Sequence, residues 1–437
     1  MKDSKPRILI AAPAWIEGWW GGGKVLAPPL ALPLLAAMTP DDFDVQLIDE
    51  NVEPVDLKAD VDLVAISCMT ASAPRAYAIA DAFRKREIPI VMGGIHPTVM
   101  PKEAGLHANA VVIGEAELVW KEILADFDFG RGRLKQRYQA DQYCDMKDMP
   151  LPRRDLLKCD RYQTVNLVQT ARGCPHACTF CSVSTVAGRQ YRFRPVPEVI
   201  KEVQKLKGWV GFVDDNITGK ASRAKELFEA LIPLKKRWVG QADLNMANDP
   251  ELLRLAARSG CQAMFIGLES VSEENLRDTH KAPNVGTDMA EAIVTIHKAG
   301  IEIIGSFVLG LDQDFPDVFV KTARFAEEQK LAAAQFSVLT PFPGTAIREK
   351  FEQEGRILED YGWDRYTMSD VVFSPKNMTP EELHQGKQWV YRKFYSLPSI
   401  IRRSFTWRGR ILLKLFVNWS YSRIGRKKGL SWWLPGS

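Results

Sequence analysis

The chain has 437 residues, 46% hydrophobic and 26% charged, which accommodates two or three globular domains and excludes a fibrous or disordered class. No run reaches the ~18 uninterrupted apolar residues of a membrane-spanning helix, seven cysteines are too few for a disulfide scaffold of this length, and MKDSKPRILIAAPAW lacks the apolar core and cleavage site of a signal peptide; a cytoplasmic protein is expected. The net charge of +4 is uneven: residues 391–437 carry eleven Lys or Arg and no Asp or Glu, leaving 47 basic against 54 acidic residues elsewhere.

Residues 1–140 read as alternating strands and helices. Strands are expected at 7–15, 44–50, 61–69, 88–94 and 110–114, with helices at 28–38 and 76–86. Short continuous apolar strands between helices indicate a parallel sheet buried on both faces, hence a doubly wound α/β domain with ligands at the strand C-termini. Residues 141–160, rich in Pro and charge, read as a linker. A second βα series fills 161–350. Its strands are TVNLVQTARGC, GWVGFVDDN, WVGQADLNM, AMFIGLES, IEIIGSFVLG and AAQFSVLTPF. Six strands in such a series predict a partial (β/α)6 barrel of the TIM type, with its chemistry at the strand C-termini. Residues 351–437 form a mostly helical extension. A helix is expected over 375–396, with Thr379 as N-cap and Pro380 in its first turn.

The chemistry centres on ARGCPHACTFCSV, residues 171–183, where Cys174, Cys178 and Cys181 are spaced Cys-x3-Cys-x2-Cys. Three thiolates on one short loop can bind three irons of a [4Fe–4S] cubane; full protein ligation takes four, so one iron stays open to another ligand. Two other readings are a structural zinc, with His176 or Cys159 as fourth ligand, and three unrelated cysteines. Cys68, Cys144, Cys159 and Cys261 are scattered.

This segment resembles the signature of the radical S-adenosylmethionine superfamily, with Phe180 at the aromatic position before the last cysteine. The resemblance implies that the open iron holds S-adenosylmethionine and that one electron, from a donor such as flavodoxin or ferredoxin, cleaves it to a 5′-deoxyadenosyl radical. Further segments resemble family motifs in the same order. Asp214, Asp215 and Asn216 in GFVDDN would contact the methionine amino group; Glu269 and Ser270 in GLES face the ribose; Gly310 in SFVLGLD lies near the adenine; PFPGT, residues 341–345, forms the sixth-strand turn.

The N-terminal domain resembles the cobalamin-binding module that precedes the barrel in one large class of this superfamily. The positions carried over are Ser67, Met69 and Thr70 in SCMT, Gly93 and Gly94 in MGGIHPT, and Glu115 in GEAE, with Trp15 of the Trp-rich loop as a wall against the corrin or as core packing. Small residues at strand ends let the backbone approach a large flat ligand. The Asp-x-His-x-x-Gly of classical modules is absent: the loop after the first strand reads AWIEGWWGGGK, so cobalamin is expected without a protein His ligand. His96 is expected to be structural.

Residues 400–419 place Ile401, Phe405, Leu412, Leu415, Phe416 and Trp419 on one side of a helix, with Arg402, Arg403, Arg410 and Lys414 on the other. This is the pattern of an interfacial membrane helix or of a helix packed on the barrel with a solvated basic face; nucleic-acid binding fits it less well. Residues 363–383 resemble the extension of lipid-modifying members such as the hopanoid methyltransferases. The expected activity is cobalamin-dependent methylation of an unactivated carbon on a hydrophobic, lipid-like substrate, in a cytoplasmic enzyme peripheral to the inner membrane face. Radical cyclisation, carbon–carbon coupling or oxidation of a lipid or tetrapyrrole is the alternative within the class. A zinc-stapled cobalamin-sensing or RNA-binding protein is the alternative outside it.

Overall fold

The computed structural model describes residues 5–14, 24–128 and 132–404, together with Lys414, Leu415 and Asn418. Trp15, the other loop tryptophans and most of the basic tail lie outside the described residues.

The apolar runs of the N-terminal domain form strands because their β-branched side chains find cover on both sides. These are β1 (Arg7–Ala12), β2 (Asp44–Asp49), β3 (Leu63–Ser67), β4 (Ile90–Gly93) and β5 (Ala110–Ile113), all parallel, in the order β2-β1-β3-β4-β5. Ile8, Ile10, Leu63, Ala65, Val91 and Val112 pack beneath the helices Ala31–Met38 and Trp120–Phe127. Leu9, Ala11, Val64, Ile66 and Met92 face the helices Ala73–Arg84 and Pro101–His107. The expected doubly wound sheet is present, and its strand order reverses between β1 and β3. A sixth strand, β6 (Arg137–Gln139), adds beside β5; only Tyr138 of its three residues is buried, so no apolar run announces it.

The second sheet contains β7 (Leu167–Val168), β10 (Val210–Phe212), β11 (Trp238–Ala242), β12 (Cys261–Glu269), β13 (Glu302–Leu309) and β14 (Ala333–Val338), parallel throughout, in the order β14-β13-β12-β11-β10-β7. The terminal strands β7 and β14 do not pair, so the barrel is open, as expected for six strands. Phe212, Trp238, Phe307 and Phe336 point into the helical layer. Alternation then turns Gly211, Gln241, Ser306 and Gln335 toward the lumen. The expected first strand is split. After β7 the chain turns into β8 (Ala171–Arg172), which pairs antiparallel with β9 (Arg192–Phe193), and the cysteine loop spans the gap between them.

The segment read as a linker is tied down within its length and just beyond it, first by the Cys144 N–H, which donates to Glu115 at 2.6 Å. Val25 pairs with Tyr162, whose hydroxyl donates to Asp49 at 3.0 Å. Arg154 bonds to Glu202 and to the Leu167 carbonyl. The C-terminal extension closes the free edge of β14: the Tyr395 hydroxyl donates to the Ala334 carbonyl at 2.7 Å and accepts its N–H at 3.1 Å, covering an edge that would otherwise recruit another chain. The preceding helix, Pro380–Phe394, opens with the expected cap. Thr379 accepts from the Glu382 N–H, and Glu382 accepts from the Thr379 N–H.

The tail departs from the expected amphipathic arrangement. Arg403 is buried, stacks on Phe394 at 3.6 Å and donates to the Leu331 and Phe394 carbonyls. Lys414 is buried and pairs with Glu302 at 3.1 Å. Ile401 and Leu415 are exposed instead.

Gly94 sets how closely β3 and β4 approach. Its φ is +101°, and a Cβ there would lie 2.7 Å from the Cys68 carbonyl oxygen and 2.8 Å from its nitrogen. Gly94→Ala is expected to destabilise the domain by about 1–3 kcal/mol from the backbone conformation alone, and by more from the clash, read as an earlier denaturant midpoint.

Candidate functional site

The cysteine loop is held from four directions. Beneath it, buried Asp214 at the end of β10 accepts from the Thr170 N–H (2.5 Å), the Thr170 hydroxyl (2.5 Å) and the Ala171 N–H (2.9 Å), fixing the β7–β8 turn. Behind β12, the Thr179 N–H donates to the Thr279 carbonyl at 3.0 Å, and the Cys178 thiol lies 3.7 Å from the His280 carbonyl. From the sixth-strand turn, the Ile347 N–H donates to the Thr179 carbonyl at 2.9 Å and the Thr185 hydroxyl to the Gly344 carbonyl at 3.1 Å. His176 faces Asp243 after β11 at 3.7 Å. Cys174, Cys178 and Cys181 are free thiols, each partly exposed. Burial raises all three, Cys181 to about 12. Cys159 sits on the 154–161 segment, bonded to the Arg154 carbonyl. Among the described residues no group of three or more His, Cys, Asp or Glu could hold a single metal ion.

The other expected contacts ring this loop at the strand ends, in differing states. The Asp215 carboxylate takes no hydrogen bond from another described side chain; burial and the neighbouring Asp214 push it up to about 7. Asn216 donates to Asp243 at 2.7 Å and accepts from Thr218. Glu269 pairs with Lys281 at 2.8 Å. Ser270 accepts from the Ser272 N–H at 3.1 Å and lies 3.4 Å from the Asn275 amide. The Gly310 N–H donates to Asp314 at 2.9 Å, and a Cβ on Gly310 would lie 2.5 Å from Leu383. Phe180 packs against the barrel core. Thus Asp214 turns away from the site, and Asp215 is the carboxylate left facing it.

A cavity of about 440 Å³ opens at the C-terminal edge of the first sheet and runs to the barrel. Ser67, Met69, Gly93, Gly94 and Glu115 line it; Thr70 is buried beside it and does not. The cavity reaches between Ala12, Ala65 and Val112 on the sheet and Leu34 and Met38 on the overlying helix, an apolar slot. On the barrel side it meets Leu167, Gln169, Arg172 and Val213. His96 lies outside the lining, buried against Tyr77 (2.9 Å) and edge-on to Trp363, a structural role as expected.

Glu115 bridges cavity and loop. It accepts from Arg192 at 2.7 and 2.8 Å, from Arg172 at 3.2 Å and from the Cys144 N–H at 2.6 Å. Arg172 also binds Glu117 at 2.5 Å and Gln169 at 2.8 Å. Glu115, expected as a cofactor contact, lines the cavity, and its carboxylate is also bonded to the two arginines of the β8–β9 ladder.

Residues 24–124 match the family profile of the B12 binding domain, and residues 168–326 that of the radical SAM superfamily. The bacteriochlorophyllide d C-12(1)-methyltransferase of Chlorobaculum tepidum is 32% identical over 441 residues, covering 98% of this chain and 95% of its own. The chain belongs to the cobalamin-binding-domain radical S-adenosylmethionine methyltransferase family. Another relative, the hopanoid C-2 methylase of Rhodopseudomonas palustris, is 28% identical over 76% of this chain and 66% of its own. The solved structure of TsrM from Kitasatospora setae, with cobalamin and [4Fe–4S] cluster bound, superposes with a TM-score of 0.70 at 15% identity, covering 97% of this chain and 99% of that one; it shares the fold.

The residues of this family member suit both groups that the two domains imply. Three partly exposed thiols on one loop offer the donor set of a cubane, and the cavity's small apolar lining at Ala12, Ala65 and Val112 leaves the strand ends open to a large ring system. Sequence reasoning missed Lys281, the Arg172–Arg192 clamp and the Asp243–His176 contact. The one local signal was Arg172 itself, in the ARGC lead-in.

Burial alone would raise the Glu115 carboxyl, but Arg192, Arg172 and the Cys144 N–H together hold it below its ordinary value. A carboxyl lowered by folding stabilises above its unfolded value, about 4.3 for Glu, and loses that contribution as pH falls through the folded value. The thermal unfolding midpoint of wild type is expected to fall as pH drops below about 4.3. Glu115→Gln is expected to be less stable at pH 7 by about 3 kcal/mol and flatter across the acid range.

Proposed function

We propose that this enzyme methylates an unactivated carbon of a hydrophobic substrate. Cys174, Cys178 and Cys181 would hold three irons of a [4Fe–4S] cluster, with the fourth left for S-adenosylmethionine, and the 440 Å³ cavity would hold cobalamin without a protein His ligand. When bound, the cluster supplies the electron that cleaves S-adenosylmethionine, and cobalamin supplies the transferable methyl group. The observation that carries the reading is the continuity between cavity and loop: Arg172 lines the cavity and belongs to the ladder from which the cysteine loop springs.

The chain's own residues then have defined tasks. Asp215, the unpaired carboxylate, is suited to the methionine amino group. Glu269 and Ser270 stand at the end of β12 for the ribose, and the backbone at Gly310 for the adenine. Asn216 orients Asp243 and through it His176. Ser67, Met69, Gly93 and Gly94 admit the corrin edge or its nucleotide tail, Ser72 holds Met69 by accepting from its N–H at 3.2 Å with Thr70 buried beside it, and Trp15, a corrin wall or core packing on the sequence reading, lies outside the described residues. An external one-electron donor, a flavodoxin or ferredoxin, completes the system. The hydrophobic substrate is supported by the names of the relatives, which act on a bacteriochlorophyllide and a hopanoid.

The test is anaerobic turnover with methyl-labelled S-adenosylmethionine on bacteriochlorophyllide d and on a hopanoid. Label is expected in a carbon-methylated product together with 5′-deoxyadenosine; 5′-deoxyadenosine without any methylated product overturns the reading. Alanine at Cys174, Cys178 or Cys181 is expected to abolish 5′-deoxyadenosine formation and to lower bound iron from about four per chain.

We infer peripheral contact with an anionic membrane from the C-terminal extension. Leu397 is 69% and Ile401 46% exposed, one turn apart on the helix Leu397–Ser404, and Trp389 is exposed on the helix before it. The surrounding sequence has no acid after residue 390, so its charge complements anionic headgroups. No helix among the described residues is long and apolar enough to cross a membrane. The chain is expected to sediment with phosphatidylglycerol vesicles and not with phosphatidylcholine vesicles, and Leu397→Asp with Ile401→Asp to lose that binding.

A further inference from the structure

Lys281 is the group in the site that neither the sequence pattern nor the assigned roles absorb. Its side chain is mostly buried and its ammonium bonds to Glu269 at 2.8 Å. It follows directly on the two residues that clasp the cysteine loop: Thr279, whose carbonyl receives the Thr179 N–H, and His280, whose carbonyl lies 3.7 Å from the Cys178 sulfur. The positive charge is therefore delivered beside the thiols by the same three-residue segment that fixes the loop.

The backbone is bent to make this arrangement. Glu269 has φ +63°, left-handed for a residue with a side chain, and β12 slips register against β13 between Gly267 and Glu269. Such a conformation is unfavourable for a residue with a side chain and persists where its surroundings over-determine it. Here the Asn284 amide donates to both the Gly267 and Leu268 carbonyls at 2.9 Å. Gly267 has no Cβ because one would collide with the Glu269 carboxylate and lie 2.8 Å from the Lys281 nitrogen. Stability alone explains this poorly, since a buried ion pair contributes no more than well-packed apolar groups of the same volume.

The electrostatics point the same way. The charged side chains within electrostatic range of the thiols are Lys281, Glu269 and Asp215, and of these Lys281 is the cation. Reduction of a cluster adds one negative charge to the site, and a cation in a buried, weakly screened position favours that state; net charge around a cluster is one of the terms that set its potential.

We propose that Lys281 is a positioning charge for the cluster: its ammonium beside the cysteine loop makes the cluster easier to reduce, and Glu269 sets how much of that charge the cluster feels. This rests on the cluster assignment above. It assigns Glu269 a task before S-adenosylmethionine arrives, and predicts opposite effects from removing either partner.

The experiment is an EPR-monitored redox titration of the full-length, anaerobically reconstituted protein without S-adenosylmethionine. Lys281→Met is expected to shift the midpoint potential to more negative values, Glu269→Gln to more positive values, and Lys281→Arg to stay close to wild type. Equal potentials in all four proteins, or shifts of the same sign in Lys281→Met and Glu269→Gln, overturn the proposal. If Lys281→Met does not fold or load iron, an unmoved potential in Glu269→Gln overturns it by itself. A wild-type chain that takes up no cluster overturns the cluster assignment and this proposal together, and is recognised beforehand by its iron and sulfide content.

Discussion

The geometry of this protein depends on one buried ionic cluster, Glu115 and Glu117 at the end of β5 against Arg172 and Arg192 on the β8–β9 ladder. That ladder joins only two residue pairs, Ala171 with Phe193 and Arg172 with Arg192, too few to fix a loop of functional precision alone. Buried charges are costly unless every hydrogen-bonding direction is met, and here they nearly are: Arg172 reaches Glu115, Glu117 and Gln169, while Arg192 reaches Glu115 and the Cys144 and Ala187 carbonyls. Fork-shaped guanidinium groups bind carboxylates in a defined orientation. The cluster therefore sets register as well as proximity between the cofactor cavity and the cysteine loop.

The same logic extends around the barrel mouth. The loop is anchored by groups from β10, the segment after β12 and the turn after β14, so its position reports on the whole strand array. The extension is pinned to that array too. Asp312, just past β13, gathers Lys350, Arg356 and Lys376, and Leu383 fills the space that Gly310 leaves open. A barrel of six strands lacks the closure of eight, and the extension supplies the missing wall at β14 through Tyr395, Phe394 and Tyr391.

What could be read from the sequence was what depends on local pattern. The long apolar strands, the Cys-x3-Cys-x2-Cys spacing and the Thr379 cap each declare themselves within about ten residues. What could not be read depends on partners distant in the chain. GEAE at 114–117 looks like a small-residue strand end suited to a cofactor, and Gly114 and Glu115 do line the cavity, but the Glu115 carboxylate is directed by arginines 57 and 77 residues away. Lys281 carries no signal in sequence, because a single lysine after a helix is ordinarily solvated. β6 is invisible because its pairing with β5 rests on backbone bonds more than on side chains.

The tail makes the last point about what periodicity means. A 3.6-residue pattern says which side chains share a face, not which face turns inward. At the base of the barrel the chain entering β14 presents the Leu331 and Ala332 carbonyls, and β13 begins with the Glu302 carboxylate. Buried acceptors require donors. Arg403 meets the Leu331 carbonyl, Asn418 donates to the Ala332 carbonyl at 2.8 Å, and Lys414 meets Glu302. These polar side chains are drawn inward by acceptors that apolar residues could not satisfy, and Leu397, Ile401 and Leu415 are left outward as a consequence. The exposed apolar surface thus follows from hydrogen-bond satisfaction at the barrel base, which also gives it a rigid platform.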